Sequence, residues 1–181
     1  ETEGEEIFAR GFSMQFGGGI PATMINLSRL GVESRIITFA GHDLFSEFVK
    51  KTLNSYPVKT VNLYKGNKMP VVLSSTLLYC GDRSFISYTD GMDLNDAVMD
   101  EVYENLKGAY VVDMHVGFLD VYKRLKKDGC IQIFDTGWED DLTLEKYKDY
   151  LEIADYYIPN QKEAMKITGT SLSLIHISEP T

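Results

Sequence analysis

The chain has 181 residues, 44% hydrophobic and 25% charged, with 27 acidic against 18 basic side chains and a formal net charge of −9. That length and composition exclude disorder and collagen-like repeats and fit a globular domain. The acidic excess opposes nucleic acid and anionic membrane while permitting a local anion site, and no apolar run approaches the roughly 18 residues of a membrane helix.

The first predicted element is a helix over Pro21–Leu30. Proline suits the first turn, Ala22, Ile25, Leu27 and Leu30 supply an apolar side, and Gly31 can serve as a left-handed cap. A strand over Arg35–Ala40 runs into Gly41-His42-Asp43. A helix over Leu44–Leu53 follows, with Leu44, Phe45, Phe48, Val49 and Leu53 at helical spacing. Val61–Tyr64, Met69–Tyr79 and Ser84–Tyr88 are rich in β-branched and aromatic residues, and turn-formers separate them. They predict a run of antiparallel hairpins. Polar Ser74–Thr76 in the middle strand imply one face that meets water or a ligand.

From Leu94 the pattern alternates. Helices are expected over Leu94–Leu106, Leu119–Lys127 and Leu144–Ala154, and strands over Ala109–Asp113, Cys130–Asp135 and Tyr156–Ile158. Asn160 opens a last helix that ends near Gly169. Such alternation implies an α/β fold, a parallel sheet with helices on both faces. The domain is expected over 1–170, with a small antiparallel β lid inserted at about 58–90.

Glu1–Arg10 lacks the basic-then-apolar layout of a secretory leader, so a cytoplasmic protein is expected. Cys80 and Cys130 stand far apart without nearby ligand residues. They predict two buried reduced thiols rather than a disulfide framework or a zinc site.

Gly17-Gly18-Gly19 precedes the first helix and allows either a tight turn or close backbone approach to a ligand, with helix N–H groups free for an anion. Gly17-x-Gly19-x-x-Ala22, with Asp43 about 20 residues on, also fits a dinucleotide fingerprint. The hairpins at 61–88 break the βαβ rhythm which that fingerprint needs. Asn160 and Glu163 have the spacing of a capping box, which accounts for them without chemistry. His115 follows a strand, where it is either solvated or reaches into a pocket. Asp113 and Asp135 also lie at strand C-termini, where α/β sheets collect ligands. Asp135-Thr136-Gly137 is not an aspartic protease site, which needs a paired aspartate in an all-β fold.

Three stretches in order resemble the ribokinase-like (PfkB-type) carbohydrate kinases. They are Gly17-Gly18 through Arg29-Leu30-Gly31, the strand end Gly41-His42-Asp43 with Phe45, and Asp155–Glu163 followed by Ile167-Thr168-Gly169. The hairpin block, with its turn Gly81-Asp82-Arg83-Ser84, is similar to that family's lid. The resemblance implies an ATP- and Mg²⁺-dependent kinase acting on a small-molecule sugar, and the exposed edges of the lid strands make a homodimer through the lid an expected assembly. It makes Gly17 and Gly18 the hinge beside the sugar and places Gly41 and Asp43 at the sugar pocket, while His115 is a further candidate for that pocket by its place just past a strand end. Asn160 and Glu163 would organise the nucleotide phosphates and Mg²⁺, Glu163 through water.

Two departures stand out. Ala22 occupies the place of the family's asparagine, and Met24 a place that is usually small. The family's opening strand, with its substrate aspartate, should precede Gly17, and its catalytic Asp-Thr-x-Gly-Ala-Gly-Asp should follow Asn-x-x-Glu. That catalytic motif is absent from the chain, so no catalytic residue is assigned. Leu172–Thr181 resembles a translated sequencing adapter, and 171–181 is expected to be a non-native tail on a fragment cut at both ends and inactive alone. The alternatives are a nicotinamide-dinucleotide domain and a non-catalytic sugar-binding or interaction module.

Overall fold

The computed structural model describes Phe8 and residues 11–79, 82–137, 139 and 141–171. These divide into two compact units, one drawn from 1–60 and 67–90, the other from 61–66 and 91–181. Cys80 and the tail segment 172–181 lie outside the described residues.

In the first unit, α1 (Gly19–Arg29) begins just before Pro21, with Gly18 as N-cap, and closes at Gly31, whose φ is 82°. Strand β1 (Arg35–Thr38) and α2 (Leu44–Asn54) follow. Ile25 of α1, Ile36 of β1, Leu53 of α2 and Val58 form a buried cluster, against which Phe16, Ile20, Met24, Val49 and Tyr56 pack. Burying each such side chain contributes about 1.5–3 kcal/mol.

Pairing corrects the expected run of hairpins. Strand β2 (Lys59–Asn62) starts earlier than Val61 and forms a two-stranded sheet with β1. The Lys59 N–H reaches the Ser34 carbonyl at 2.9 Å. The antiparallel hairpin consists of β3 (Leu73–Tyr79) and β4 (Asp82–Tyr88) alone. Its register sets Ser74 opposite Ser87 and Thr76 opposite Phe85. A pleated segment is legible locally, but its partner is chosen by distant residues, and here β1 wins β2. The polar stretch of β3 is partly accounted for by a cross-strand bond of 2.7 Å between the Ser74 and Ser87 hydroxyls.

The second unit alternates as expected, through α3 (Asp96–Leu106), β5 (Val111–Met114), α4 (Leu119–Lys127), β6 (Ile131–Phe134), α5 (Leu144–Ile153), β7 (Tyr156–Tyr157) and α6 (Gln161–Thr168). The strands form one parallel sheet in the order β5-β6-β7. Gln132 and Phe134 stand two apart on β6 and are fully buried. Gln132 Nε2 donates to the Tyr122 carbonyl of α4 at 2.6 Å. Phe134 stacks on Tyr150 of α5 with ring centroids 5.2 Å apart. Val121 and Leu125 of α4 and Tyr147 of α5 complete this layer. Lys126, Lys127 and Arg124 crowd the last turn of α4, where positive charge complements the helix dipole. Parallel sheet, flanking helices and a small separate antiparallel element make this the α/β class that the alternation implies. Cys130 is buried and reduced, and burial pushes its thiol pKa up.

Candidate functional site

The first unit presents two glycine-bearing turns. Gly18 has φ 100°, a backbone that disfavours any side chain, and a Cβ there would stand 3.2 Å from Pro21 Cδ. Gly17 is exposed with open space around it. Gly41 is buried, and a Cβ there would fall 2.8 Å from the Lys68 carbonyl oxygen and 3.2 Å from Pro70 Cδ. Only glycine lets that strand end approach the 68–70 backbone so closely.

Asp43 caps α2. Its Oδ1 accepts the Phe45 and Ser46 N–H groups at 3.0 and 2.9 Å, and its Oδ2 accepts the Ser46 hydroxyl at 2.6 Å. The same hydroxyl accepts the Gly41 N–H at 2.8 Å, and Lys50 Nζ donates to the Gly41 carbonyl at 2.9 Å. Burial raises the Asp43 pKa, but the hydrogen bonds from Ser46 and from the backbone outweigh it and hold the carboxyl below its ordinary value. Asp90 braces the segment beside Gly41. It accepts the Met69 N–H at 2.8 Å and the Tyr88 hydroxyl at 2.6 Å, which lowers its own pKa.

In the second unit, polar groups gather at the C-terminal ends of the parallel strands. Asp113, on β5, has its pKa raised by burial first and by the Asp135 charge second, with His115 acting in the opposite sense. His115 is exposed, on the turn between β5 and α4. Beyond β6 the buried Thr136 hydroxyl lies 3.2 Å from the Tyr157 hydroxyl. At the head of α6, Asn160 and Glu163 cap each other. Glu163 N–H donates to Asn160 Oδ1 at 3.0 Å, and Asn160 N–H donates to Glu163 Oε2 at 2.9 Å. Glu163 is 4% exposed, an unusual degree of burial for a carboxylate.

Gly41 and Asp43 are thus brought together through Ser46, and Asn160 and Glu163 through their reciprocal cap. Among the described residues no hydrogen bond joins Gly17 or Gly18 to Gly41 or Asp43, or His115 to Asn160 or Glu163. Sequence reasoning misses Ser46, Asp90, Thr136 and Tyr157. For Ser46 a signal existed, since Asp-x-x-Ser at a strand-to-helix turn is an N-cap pattern. Ala22 is exposed, and Met24 packs against the Ile25 core, so neither replaces the expected amide. The dinucleotide fingerprint fails on context. Residues 11–18 before α1 form no strand, and 73–88 is an antiparallel hairpin.

Among the described residues no group of three or more His, Cys, Asp or Glu is arranged to hold a metal ion directly. No helix among them is long and apolar enough to cross a membrane.

Residues 1–178 match the sequence profile of the pfkB family carbohydrate kinases. An uncharacterised sugar kinase of Pyrococcus horikoshii is 35% identical over 92 residues, covering 48% of this chain and 30% of that protein. Ribokinase from Giardia lamblia superposes with a TM-score of 0.76 at 18% identity, over 96% of this chain and 56% of that one. Adenosine kinase from Anopheles gambiae does so at 0.61 and 16% identity, over 88% of this chain and 49% of that one. The chain therefore spans about half the length of these solved structures and less of the curated relative.

Proposed function

The chain belongs to the pfkB family of carbohydrate kinases, and from that premise we propose that the whole protein transfers the γ-phosphoryl group of ATP to a hydroxyl of a sugar or related compound. The observation that carries this reading is the Gly41–Asp43 turn. A strand end closes on a carboxylate held below its ordinary pKa, in a loop so tight that a side chain at Gly41 would strike the Lys68 backbone.

In the first unit, Gly41 and Asp43 line the sugar site. Asp43 is oriented by its three hydrogen bonds, and its remaining lone-pair directions accept sugar hydroxyls. Gly17 and Gly18 approach the sugar through backbone and act as the hinge, a role favoured by φ 100° at Gly18.

ATP and Mg²⁺ belong to the α6 end. Glu163 takes the Asn160 N–H at Oε2, from its own helix cap, and its second carboxylate oxygen would face a hydrated cation. An ion that retains its water needs no three-ligand cluster. Mg²⁺, when bound, neutralises phosphate charge. Asn160 fixes the Glu163 backbone and side chain so that the carboxylate does not reorient.

The chain contains no Gly-Ala-Gly-Asp stretch, the family's source of the catalytic base and phosphoryl-stabilising turn. Alone it therefore binds without transferring. Leu77, Leu78, Phe85, Ile86 and Tyr88 are exposed on the β3–β4 hairpin, which supports the lid as a homodimer surface. The working compartment is the cytoplasm.

The test follows ADP release and phosphorylated product from the whole protein and from the 181-residue chain. Sugar-dependent ADP release by the former and none by the latter is the expected result. Turnover by the chain alone overturns the assignment of the missing base.

A further inference from the structure

The geometry points to Asp90 as a positioning residue for the acceptor site: from the open end of the β3–β4 hairpin it holds the 68–70 segment against Gly41, and so sets the turn that orients Asp43. Its part in the reaction rests on the kinase reading above.

The hairpin ladder ends with Leu73 opposite Tyr88. Continued without a break, that register would set Asp90 opposite Val71. Instead the Asp90 N–H donates to the Met69 carbonyl, further back along the chain, at 3.0 Å. Pro70 sits inside this slip and has no N–H to offer a ladder. The Met69 N–H takes a side chain in place of a strand carbonyl, donating to Asp90 Oδ2 at 2.8 Å. Met69 and Asp90 thus exchange two hydrogen bonds. The Thr89 hydroxyl joins the same segments by donating to the Pro70 carbonyl at 3.0 Å. The Tyr88 hydroxyl donates to Asp90 Oδ1 at 2.6 Å and steadies the carboxylate from the strand side.

The segment held in this way is the outer wall of the Gly41 turn. Pro70 and Gly41 are both buried, and the Lys68 carbonyl oxygen and Pro70 Cδ stand where a Gly41 side chain would begin. From the α2 side, Ser46 accepts the Gly41 N–H and Lys50 donates to the Gly41 carbonyl. The wall has no regular ladder behind it, so the Asp90 carboxylate carries that duty. The Tyr88 hydroxyl first, and the Met69 N–H second, hold this carboxyl below its ordinary pKa. The Asp43 charge acts in the opposite sense, so the two carboxylates stand within electrostatic reach. Asp90 is exposed, and it acts on the acceptor through the wall and the turn. Asparagine keeps an oxygen able to accept the Met69 N–H, whereas alanine does not.

The test compares Asp90→Ala and Asp90→Asn with the parent. In the ¹⁵N-labelled 181-residue chain, Asp90→Ala is expected to speed amide hydrogen exchange at Met69 and Gly41 about fivefold or more, while the Leu53 amide keeps the parent rate. In the whole protein, with D-ribose, D-fructose and adenosine as acceptors, Asp90→Ala is expected to raise the acceptor KM about fivefold. The KM for Mg–ATP is expected to stay within about twofold, and Asp90→Asn to restore most of the acceptor KM. Unchanged exchange at Gly41, or exchange that rises equally at Leu53, overturns the hold on the turn. Equal rises in both KM values, or an acceptor KM that does not move, overturn the role in acceptor binding while sparing the kinase reading. No turnover of any acceptor by the parent overturns that reading and the reaction role with it.

Discussion

Ser46 donates its hydroxyl to the Asp43 carboxylate at 2.6 Å, and the same oxygen receives the N–H of Gly41 at 2.8 Å. One fully buried side chain therefore ties the strand end to the helix cap that follows it. Ser46→Ala leaves the Gly41 N–H without its partner in a buried place. The expected cost is about 1–3 kcal/mol, read from urea unfolding midpoints. A change of a few tenths would show that the hydroxyl does not hold the turn.

Two glycines separate close approach from mere flexibility. A Cβ at Gly41 meets backbone at 2.8 Å, while one at Gly19 meets nothing within 4 Å and sits at the start of α1. Gly41→Ala is expected to destabilise by about 1–3 kcal/mol through overpacking. Gly19→Ala is expected to be neutral or to stabilise by up to about 1 kcal/mol through lost unfolded-state entropy. Equal effects from thermal unfolding of the two variants would contradict this.

Two aspartates respond to acid in opposite senses. Asp43 has a folded-state pKa below its unfolded value, so its contribution is full above the ordinary aspartate range near about pH 4 and fades as pH falls through the depressed value. Asp113 has a folded-state pKa above its unfolded value, chiefly from burial, so it destabilises the fold above that raised value and less as protons bind. Asp43→Asn is expected to flatten the loss of stability between about pH 5 and 3, whereas Asp113→Asn is expected to raise stability at about pH 7. Urea unfolding across that pH range reads both signs.

Much of the fold is legible from local pattern. Leu119–Lys127 is found to the residue because Val121, Tyr122 and Leu125 fall on one side, the basic residues gather at the end, and Gly129 stops the helix with φ 85°. Gly169 likewise ends α6 in the left-handed conformation. The pairing of β2 with β1 is not legible, because nothing between Lys59 and Asn62 names a distant partner. The site is half legible for the same reason. Gly41 and Asp43 stand out in sequence, but their link through Ser46 is geometry. Asn160 and Glu163 have one spacing that serves both a cap and an ion site, and the cap is present.

That ambiguity can be separated by charge. Glu163→Gln keeps an oxygen able to accept the Asn160 N–H but loses the negative charge. If the pair is only a cap, stability and Mg–ATP dependence both stay near those of the parent. If Glu163 also organises a hydrated Mg²⁺, the whole enzyme is expected to keep its stability to within about 1 kcal/mol. Its KM for Mg–ATP is expected to rise roughly tenfold or more, an effect of about 1.4 kcal/mol. Unfolding and initial-rate measurements on one preparation distinguish the two.

The most direct measurement is ³¹P NMR of the whole protein incubated with ATP, Mg²⁺ and a panel of free sugars and nucleosides. The expected result is a new phosphate monoester resonance, formed with ADP in equal amount, for at least one hydroxyl compound, and its loss in the Asp43→Ala variant. A spectrum in which no acceptor yields a monoester, or in which the Asp43→Ala protein forms it at the parent rate, would contradict the assignment of a hydroxyl-directed kinase whose acceptor site is built on the Gly41–Asp43 turn.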